Sequence, residues 1–247
     1  MSDTKADQMA ILYNAKKCTG CNACVLACKA EFQWPSGDFA NRIHDIEQGT
    51  YPNVKKNFIR TACMHCTEAT CMLVCPSPGA IVRLDNGVVF YDSTKCIGCQ
   101  YCVGTCPFGI PFYDESKKKS YKCSLCEHRI SEGKEPACVA TCISGALSFG
   151  KRSDLVQYAK EQGVKTLYGE YELQGLHALY ALQDKPTAYG LDDKPKVPAS
   201  VWWWHTIARS FALYSVPLTI LGCFLHYVIH GPHIIKEKTA QDGSDHE

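Results

Sequence analysis

Residues 18–28 read CTGCNACVLAC, and residues 96–106 read CIGCQYCVGTC. Each stretch sets three cysteines two residues apart and a fourth three residues further on: Cys18, Cys21, Cys24 and Cys28 in the first, Cys96, Cys99, Cys102 and Cys106 in the second. Two more stretches follow the same plan with one gap lengthened. Cys63, Cys66, Cys71 and Cys75 stand in CMHCTEATCMLVC, and Cys123, Cys126, Cys138 and Cys142 in CSLCEHRISEGKEPACVATC. These quartets take sixteen of the chain's 17 cysteines and leave Cys223 over. Met1–Met9 is polar and charged, which predicts no secretory signal, so the cysteines read as metal ligands rather than as a disulfide framework. The 247 residues balance 26 basic against 25 acidic side chains, a net charge of +1 with no basic footprint for nucleic acid. At 46% hydrophobic the chain is too apolar to be disordered.

The spacing discriminates between metals. A structural zinc site needs two separated C-x2-C knuckles, not triplets followed by a fourth cysteine. The C-x2-C-x2-C-x3-C run is the spacing of bacterial two-cluster ferredoxins, in which the fourth cysteine ligates the other cluster. The x3 step turns the last thiolate away from its own loop, so motifs work in pairs that exchange fourth cysteines. Four motifs then make four [4Fe–4S] clusters. Cys18, Cys21, Cys24 and Cys142 are expected to hold the first, and Cys123, Cys126, Cys138 and Cys28 the second. Cys63, Cys66, Cys71 and Cys106 are expected to hold the third, and Cys96, Cys99, Cys102 and Cys75 the fourth.

The surrounding sequence repeats. MAILYN (9–14) precedes Cys18 as VVFYD (88–92) precedes Cys96, each a short β-rich run feeding a cysteine loop. Asp85-Asn86-Gly87 predicts a hairpin turn between Ala80–Leu84 and Val88–Tyr91. A glycine and then a strand follow the second and fourth quartets, at Gly79 and Gly145. The fold class expected is α+β: two ferredoxin-like dicluster modules related by a pseudo-two-fold, with motifs II and III forming an inner module over which motifs I and IV close as the outer one. His65 and His128 lie within motifs and read as hydrogen-bond or charge partners of cluster sulfurs.

Residues 1–150 thus form the four-cluster domain, with Lys29–Ala62 a loop-rich insertion and Lys117–Lys119 a solvated charge run. In 151–205 Ser153 is expected to cap a helix through Gln162 that Gly163 stops, with Leu155, Val156 and Ala159 inward, and Lys185–Ser200 reads as an extended linker. Residues 206–231 contain Ser210–His230, 21 residues without formal charge, about 31 Å as a helix against a hydrocarbon core of about 30 Å. Trp202, Trp203, Trp204 and Tyr227 flank it as interfacial anchors, and Arg209 can snorkel at the boundary. One membrane helix is expected, followed by a polar tail at 232–247; Pro217 leaves the Leu213 carbonyl without its helical partner. Ala212, Ser215, Thr219, Gly222 and His226 recur at steps of three and four and are expected to form a face that packs on a partner helix.

The whole chain resembles the four-cluster iron–sulfur subunits of molybdenum- and tungsten-enzyme complexes: the quartets come in that order, with eleven residues between Cys126 and Cys138. The tail narrows the resemblance. Gly175-Leu176-His177-Ala178-Leu179-Tyr180-Ala181-Leu182, Lys185-Pro186, Tyr189-Gly190-Leu191 and a Trp-led helix ending in His226-Tyr227-Val228-Ile229-His230-Gly231-Pro232 resemble the β subunit of membrane-bound respiratory formate dehydrogenase. The nitrate reductase subunit has a Trp in place of one third-motif cysteine, whereas Cys96, Cys99 and Cys102 are all present here. The resemblance implies a non-catalytic role, with no catalytic residue on this chain. A molybdopterin-containing catalytic α subunit would oxidise formate, and a membrane cytochrome b γ subunit would take the electrons to quinone on its own haem-ligating histidines. It implies that the Cys18 cluster lies nearest the catalytic subunit and the Cys96 cluster nearest the lipid bilayer. It also implies a single pass through the inner membrane, with the cluster domain periplasmic and exported with a twin-arginine-tagged partner. The equivalent subunit of a membrane hydrogenase or another molybdoenzyme, and a free-standing membrane polyferredoxin, are the alternatives; co-purifying chains and metals separate them.

Overall fold

The computed structural model describes residues 8–242 of the chain. The termini at 1–7 and 243–247, where the sequence predicts no signal and the end of a polar tail, lie outside the described residues. Two compact units divide at Pro198 and Ala199. The first contains, in order, β1 (Met9–Asn14), α1 (Ala23–Phe32), β2 (Asn41–Gln48), β3 (Lys55–Ala62), α2 (Thr70–Leu73), β4 (Ile81–Arg83), β5 (Val89–Tyr91), α3 (Tyr101–Thr105), β6 (Phe112–Asp114), β7 (Lys119–Tyr121), α4 (Glu127–Ser131), α5 (Ala137–Ala140), β8 (Leu147–Lys151), α6 (Arg152–Glu161), β9 (Thr166–Tyr168) and β10 (Ala178–Leu182).

The core is a four-stranded sheet in the order β8-β1-β10-β9. β1 runs parallel to β10, Ile11 opposite Ala178 and Tyr13 opposite Tyr180, and antiparallel to β8. Its two central strands are buried on both faces, which is why they read as continuous apolar runs. Period-two alternation sorts their side chains. Ala10, Leu12, Leu179 and Ala181 pack under Leu155 and Ala159 of α6, while Ile11, Tyr13, Ala178, Tyr180 and Leu182 face Met64, Leu125, Cys24 and Cys138 of the cysteine loops. Full burial of Leu179 or Leu182 is worth roughly 2 kcal/mol each.

Residues 63–122 carry much less sheet. β4–β5, turned at Asp85-Asn86-Gly87, and β6–β7 are separate two-stranded hairpins three residues to a strand. Residues 173–178 fasten this part to the main sheet: Thr67 and Glu68 N–H groups donate to Gly175 and Leu173 carbonyls, and the Met64 carbonyl accepts from His177 and Ala178.

Several local expectations change. The insertion 29–62 is no loop but carries an eight-by-eight antiparallel hairpin, β2–β3, stapled by Lys56–Asp45 at 2.8 Å. Helix α6 starts at Arg152 with Lys151 as its extended N-cap, and the Ser153 hydroxyl turns to Asp154 instead, so the cap lies two residues earlier. Segment 185–198 is not extended throughout: Pro186–Tyr189 is a 3₁₀ turn with Tyr189 buried. Ala178–Leu182, seen in the sequence only as part of a tail, is a central strand.

The second unit comprises α7 (Ala199–Trp203), a π-type turn at Trp204–Ala208 and α8 (Arg209–Asp242). Within α8, Leu213–His230 has mean hydropathy 1.4 with none of it buried, long and apolar enough to cross a membrane. The Thr219 hydroxyl donates to the Ser215 carbonyl at 2.7 Å, just past Pro217. Side chains of Arg209, Ser210 and Ala212 lie outside the described residues.

Candidate metal centres

The four cysteine loops share a backbone device. The third residue of each C-x2-C pair has positive φ: Gly20 (71°), Gly98 (75°), His65 (47°) and Leu125 (57°). That left-handed step turns the residue's N–H back onto the preceding cysteine, so Gly98 and Leu125 donate to Cys96 and Cys123 Sγ, each at 3.4 Å. A Cβ at Gly98 would also collide with the Lys118 carbonyl oxygen, so that position needs glycine twice over. His65 and Leu125 adopt the same conformation at a strain of about 1 kcal/mol, held by surroundings that bury both. Only motif I carries its last cysteine within a helix, Cys28 on α1; Cys75, Cys106 and Cys142 follow the one-turn helices α2, α3 and α5.

Three cavities sit among these loops, and each gathers three cysteines of one motif with one of another. The first is lined by Cys63, Cys66, Cys71 and Cys106; the second by Cys18, Cys21, Cys24 and Cys142; the third by Cys96, Cys99, Cys102 and Cys75. The remaining four also meet. Cys28 packs with Cys123 in one small cluster and lies in the field of Cys123, Cys138 and Cys126. None of the 17 cysteines is in a disulfide. Among the described residues, no three Cys, His, Asp or Glu side chains close in to single-ion distance, the approach a zinc site requires.

Burial pushes the Cys71 and Cys126 thiols each up to about 12. Cys96 runs the other way. Burial pulls it up, but the Tyr91 hydroxyl, the Ser120 and Gly98 N–H groups and Lys119 together hold it below the usual thiol range. Two cations are buried among the loops. Arg60, on β3, is 2% exposed, and its Nη2 lies 4.0 Å from Cys138 Sγ. Lys122, 5% exposed, donates to the Val89 and Cys123 carbonyls and lines the Cys63 cavity.

Polar atoms at these walls are buried without a partner at His65 Nε2 and Thr70 Oγ1 beside the Cys63 cavity and at Arg60 Nε, while the Tyr91 and Ser120 hydroxyls at the Cys96 cavity face cysteine sulfurs. His65 Nδ1 accepts from Val89 N–H at 3.0 Å, so the ring proton sits on Nε2, a donor aimed at the cavity wall. Four-sulfur cavities edged with unused donors suit an acceptor-rich inorganic group, and the residues present fit a [4Fe–4S] cubane.

His128, by contrast, points to Glu31 at 2.7 Å on the surface. Arg60, Lys122, Tyr91 and Ser120 were not singled out in the sequence. The one available signal was a cation just ahead of a quartet in a β-rich run: Arg60 before Cys63 and Lys122 before Cys123.

A family model of the 4Fe-4S dicluster domain matches residues 10–81 and another of the same description matches 54–152, so the chain contains two such domains and carries 4Fe–4S clusters. The chain is 34% identical to the formate dehydrogenase iron–sulfur subunit of Haemophilus influenzae, over 97% of this chain and 84% of that one. It is 34% identical to the nitrate-inducible formate dehydrogenase iron–sulfur subunit of Escherichia coli, over 99% and 91%. The thiosulfate reductase electron transfer subunit of Salmonella typhi is 38% identical over 67% of this chain and 87% of its own.

Proposed function

The chain belongs to the family of formate dehydrogenase iron–sulfur subunits, and from that membership we propose that it relays electrons from a molybdopterin-containing catalytic α subunit to a membrane cytochrome b γ subunit. Formate oxidation is the partner's chemistry in this reading. The observation that carries it is the grouping of sixteen cysteines into four sets, each with three from one motif and the fourth from its pair.

Cys18, Cys21, Cys24 and Cys142 would hold one cluster, Cys123, Cys126, Cys138 and Cys28 a second, Cys63, Cys66, Cys71 and Cys106 a third, and Cys96, Cys99, Cys102 and Cys75 a fourth. A cubane bound at each set supplies reversible one-electron acceptance without a change in protein bonds. The chain's own residues fix its position and exclude water. Loop N–H groups at Gly98 and Leu125 steady the sulfurs, and Tyr13 and Tyr180 shield the outer loops.

The Cys18 set would face the catalytic subunit and the Cys96 set the membrane partner. Exposed apolar side chains stand beside each: Leu26 (64%) and Ile143 (81%) at the first, Ile97 (66%) and Tyr101 (60%) at the second, the kind of surface a partner covers. Formate is favoured as the donor because the formate dehydrogenase relatives match nearly the whole chain, whereas the thiosulfate reductase relative matches 67%.

In this reading Leu213–His230 spans the inner membrane, and the face Ala212, Ser215, Thr219, Gly222 and His226 packs on the cytochrome. Gly222 has open space around it within this chain, so Gly222→Leu disturbs only a neighbour. The cytochrome should then dissociate in mild detergent; full retention would refute the face. The cluster domain would be periplasmic, so protease added to spheroplasts should remove it, and cleavage confined to inverted vesicles would refute that side.

The test of the whole is the purified complex. It should contain about sixteen irons per copy of this chain beyond those of its partners, a pterin-bound molybdenum or tungsten, and haem. A nickel-containing partner, or no partner at all, would overturn it.

A further inference from the structure

We propose that Arg60 is a buried counter-cation shared by the two outer cysteine sets, and that its charge raises the reduction potentials of both clusters held there. The inference rests on the cluster assignment above and adds an electrostatic role for one residue of this chain.

The side chain sits on β3, three residues ahead of Cys63, yet it serves the other module. Its guanidinium Nη2 reaches Cys138 Sγ at 4.0 Å. Among the described residues no carboxylate lies within ion-pair distance of it, and its Nε is buried without a partner. The residue is held in place through its backbone, where the Arg60 carbonyl accepts from the Tyr180 hydroxyl at 3.0 Å and the neighbouring Phe58 carbonyl accepts from Tyr13 at 2.7 Å. Two residues of the central strands therefore clamp β3 at this register.

A buried cation without an anion is costly, so a negative partner has to be supplied. The cysteines around Arg60 come from both outer motifs. Its charge is the strongest influence opposing burial at Cys24 of motif I and at Cys123 and Cys138 of motif IV, and it also acts on Cys28. Cys24 of one set packs in the same buried cluster as Cys138 of its neighbour, whose Sγ the guanidinium reaches, so a single cation stands where the two sets meet. The inner sets have a different cation: Lys122 is the leading influence opposing burial at Cys71. Reduction adds one negative charge to a cluster, and a fixed cation in a poorly screened interior favours that state over the oxidised one. Arg60 thereby makes the outer pair a better seat for the electron than the same ligands would be without it.

The experiment uses the assembled complex, with midpoints followed by redox titration under electron paramagnetic resonance. Signals are assigned to outer and inner clusters by Cys142→Ser and Cys75→Ser. Arg60→Met removes the charge and keeps the length. Both outer midpoints should move downward while the inner two stay in place, and Arg60→Lys should restore most of the shift. If Arg60→Met assembles with full iron and all four midpoints unmoved, the proposal is wrong. If Arg60→Met loses the outer clusters and Arg60→Lys keeps them, charge is what holds them, as proposed. Equal loss in both variants would assign Arg60 to shape alone and overturn it. A wild-type complex lacking four cubane signals would instead sink the cluster assignment, whatever the Arg60 variants do.

Discussion

The proposed outer and inner cysteine sets follow one ligand plan, with a gap of four residues in motif II and eleven in motif IV, and differ in what surrounds it. Of the outer eight cysteines, Cys24, Cys28, Cys123, Cys126 and Cys138 are buried behind the four-stranded sheet, whereas all eight inner ones are half-exposed among two-stranded hairpins. The set of Cys28, Cys123, Cys126 and Cys138 is thus the only one of the four buried at every ligand, and cluster potential responds to solvent exposure and nearby charge as much as to ligands. Spacing chooses the cofactor; packing chooses its energetics.

The largest effects should come from ligand loss, and they should be unequal. Cys28→Ala removes a ligand buried against Ala40 and Cys123 and strips Arg60 of compensating charge. It should cost both outer clusters, roughly half the iron. Cys99→Ala, at the half-exposed inner edge, should cost roughly a quarter and leave the sheet folded. Iron per chain and a thermal melt decide this, and equal damage would erase the distinction between modules.

Core truncation sharpens the same contrast. Leu179→Ala opens a hole between β10 and α6 and should fall in the upper half of the roughly 2–5 kcal/mol range; Ile81→Ala, in the small inner cluster with Ala69 and Val89, should fall near its bottom. Denaturant melts of the assembled chain measure both, and the reverse order would place the stability in the inner hairpins.

A smaller effect lies at the seam. His177, fully buried, donates Nδ1–H to the His65 carbonyl at 2.8 Å and joins β10 to motif II. Burial, with Arg83 and Arg152 nearby, lowers its pKa from 6.5 to about 4. The unfolded chain therefore takes the proton first as pH falls. Its contribution is complete above about pH 6.5 and is lost down to about pH 4, on the order of 3 kcal/mol. His177→Gln should flatten that part of the pH–stability profile relative to wild type. An unchanged slope would remove His177 from the seam.

The smallest effect should be Tyr91→Phe, which deletes the hydroxyl facing Cys96 and keeps the ring. One inner midpoint should move and the outer ones should not; a shift in all four would mean the modules are not electrostatically separate.

The sequence by itself determined what is local. Four cysteine quartets, the hairpin turn at Asp85-Asn86-Gly87 and a 21-residue uncharged segment each declare themselves within a few residues, because ligand spacing, turn chemistry and helix length are short-range constraints. The tertiary structure decided the rest. Ala178–Leu182 is a strand because it closes parallel onto β1, Ile11 against Ala178, a pairing across most of the chain that no window of sequence displays. The charged run of β2–β3 becomes a hairpin because Tyr13, Tyr180 and Gln48 bind across to it and to its surroundings. Arg60 and Lys122 look like ordinary cations of a β-rich segment until packing removes water from them. Whether a charge is solvated or buried beside a sulfur depends on which distant strand covers it, and that is set only when the whole sheet closes.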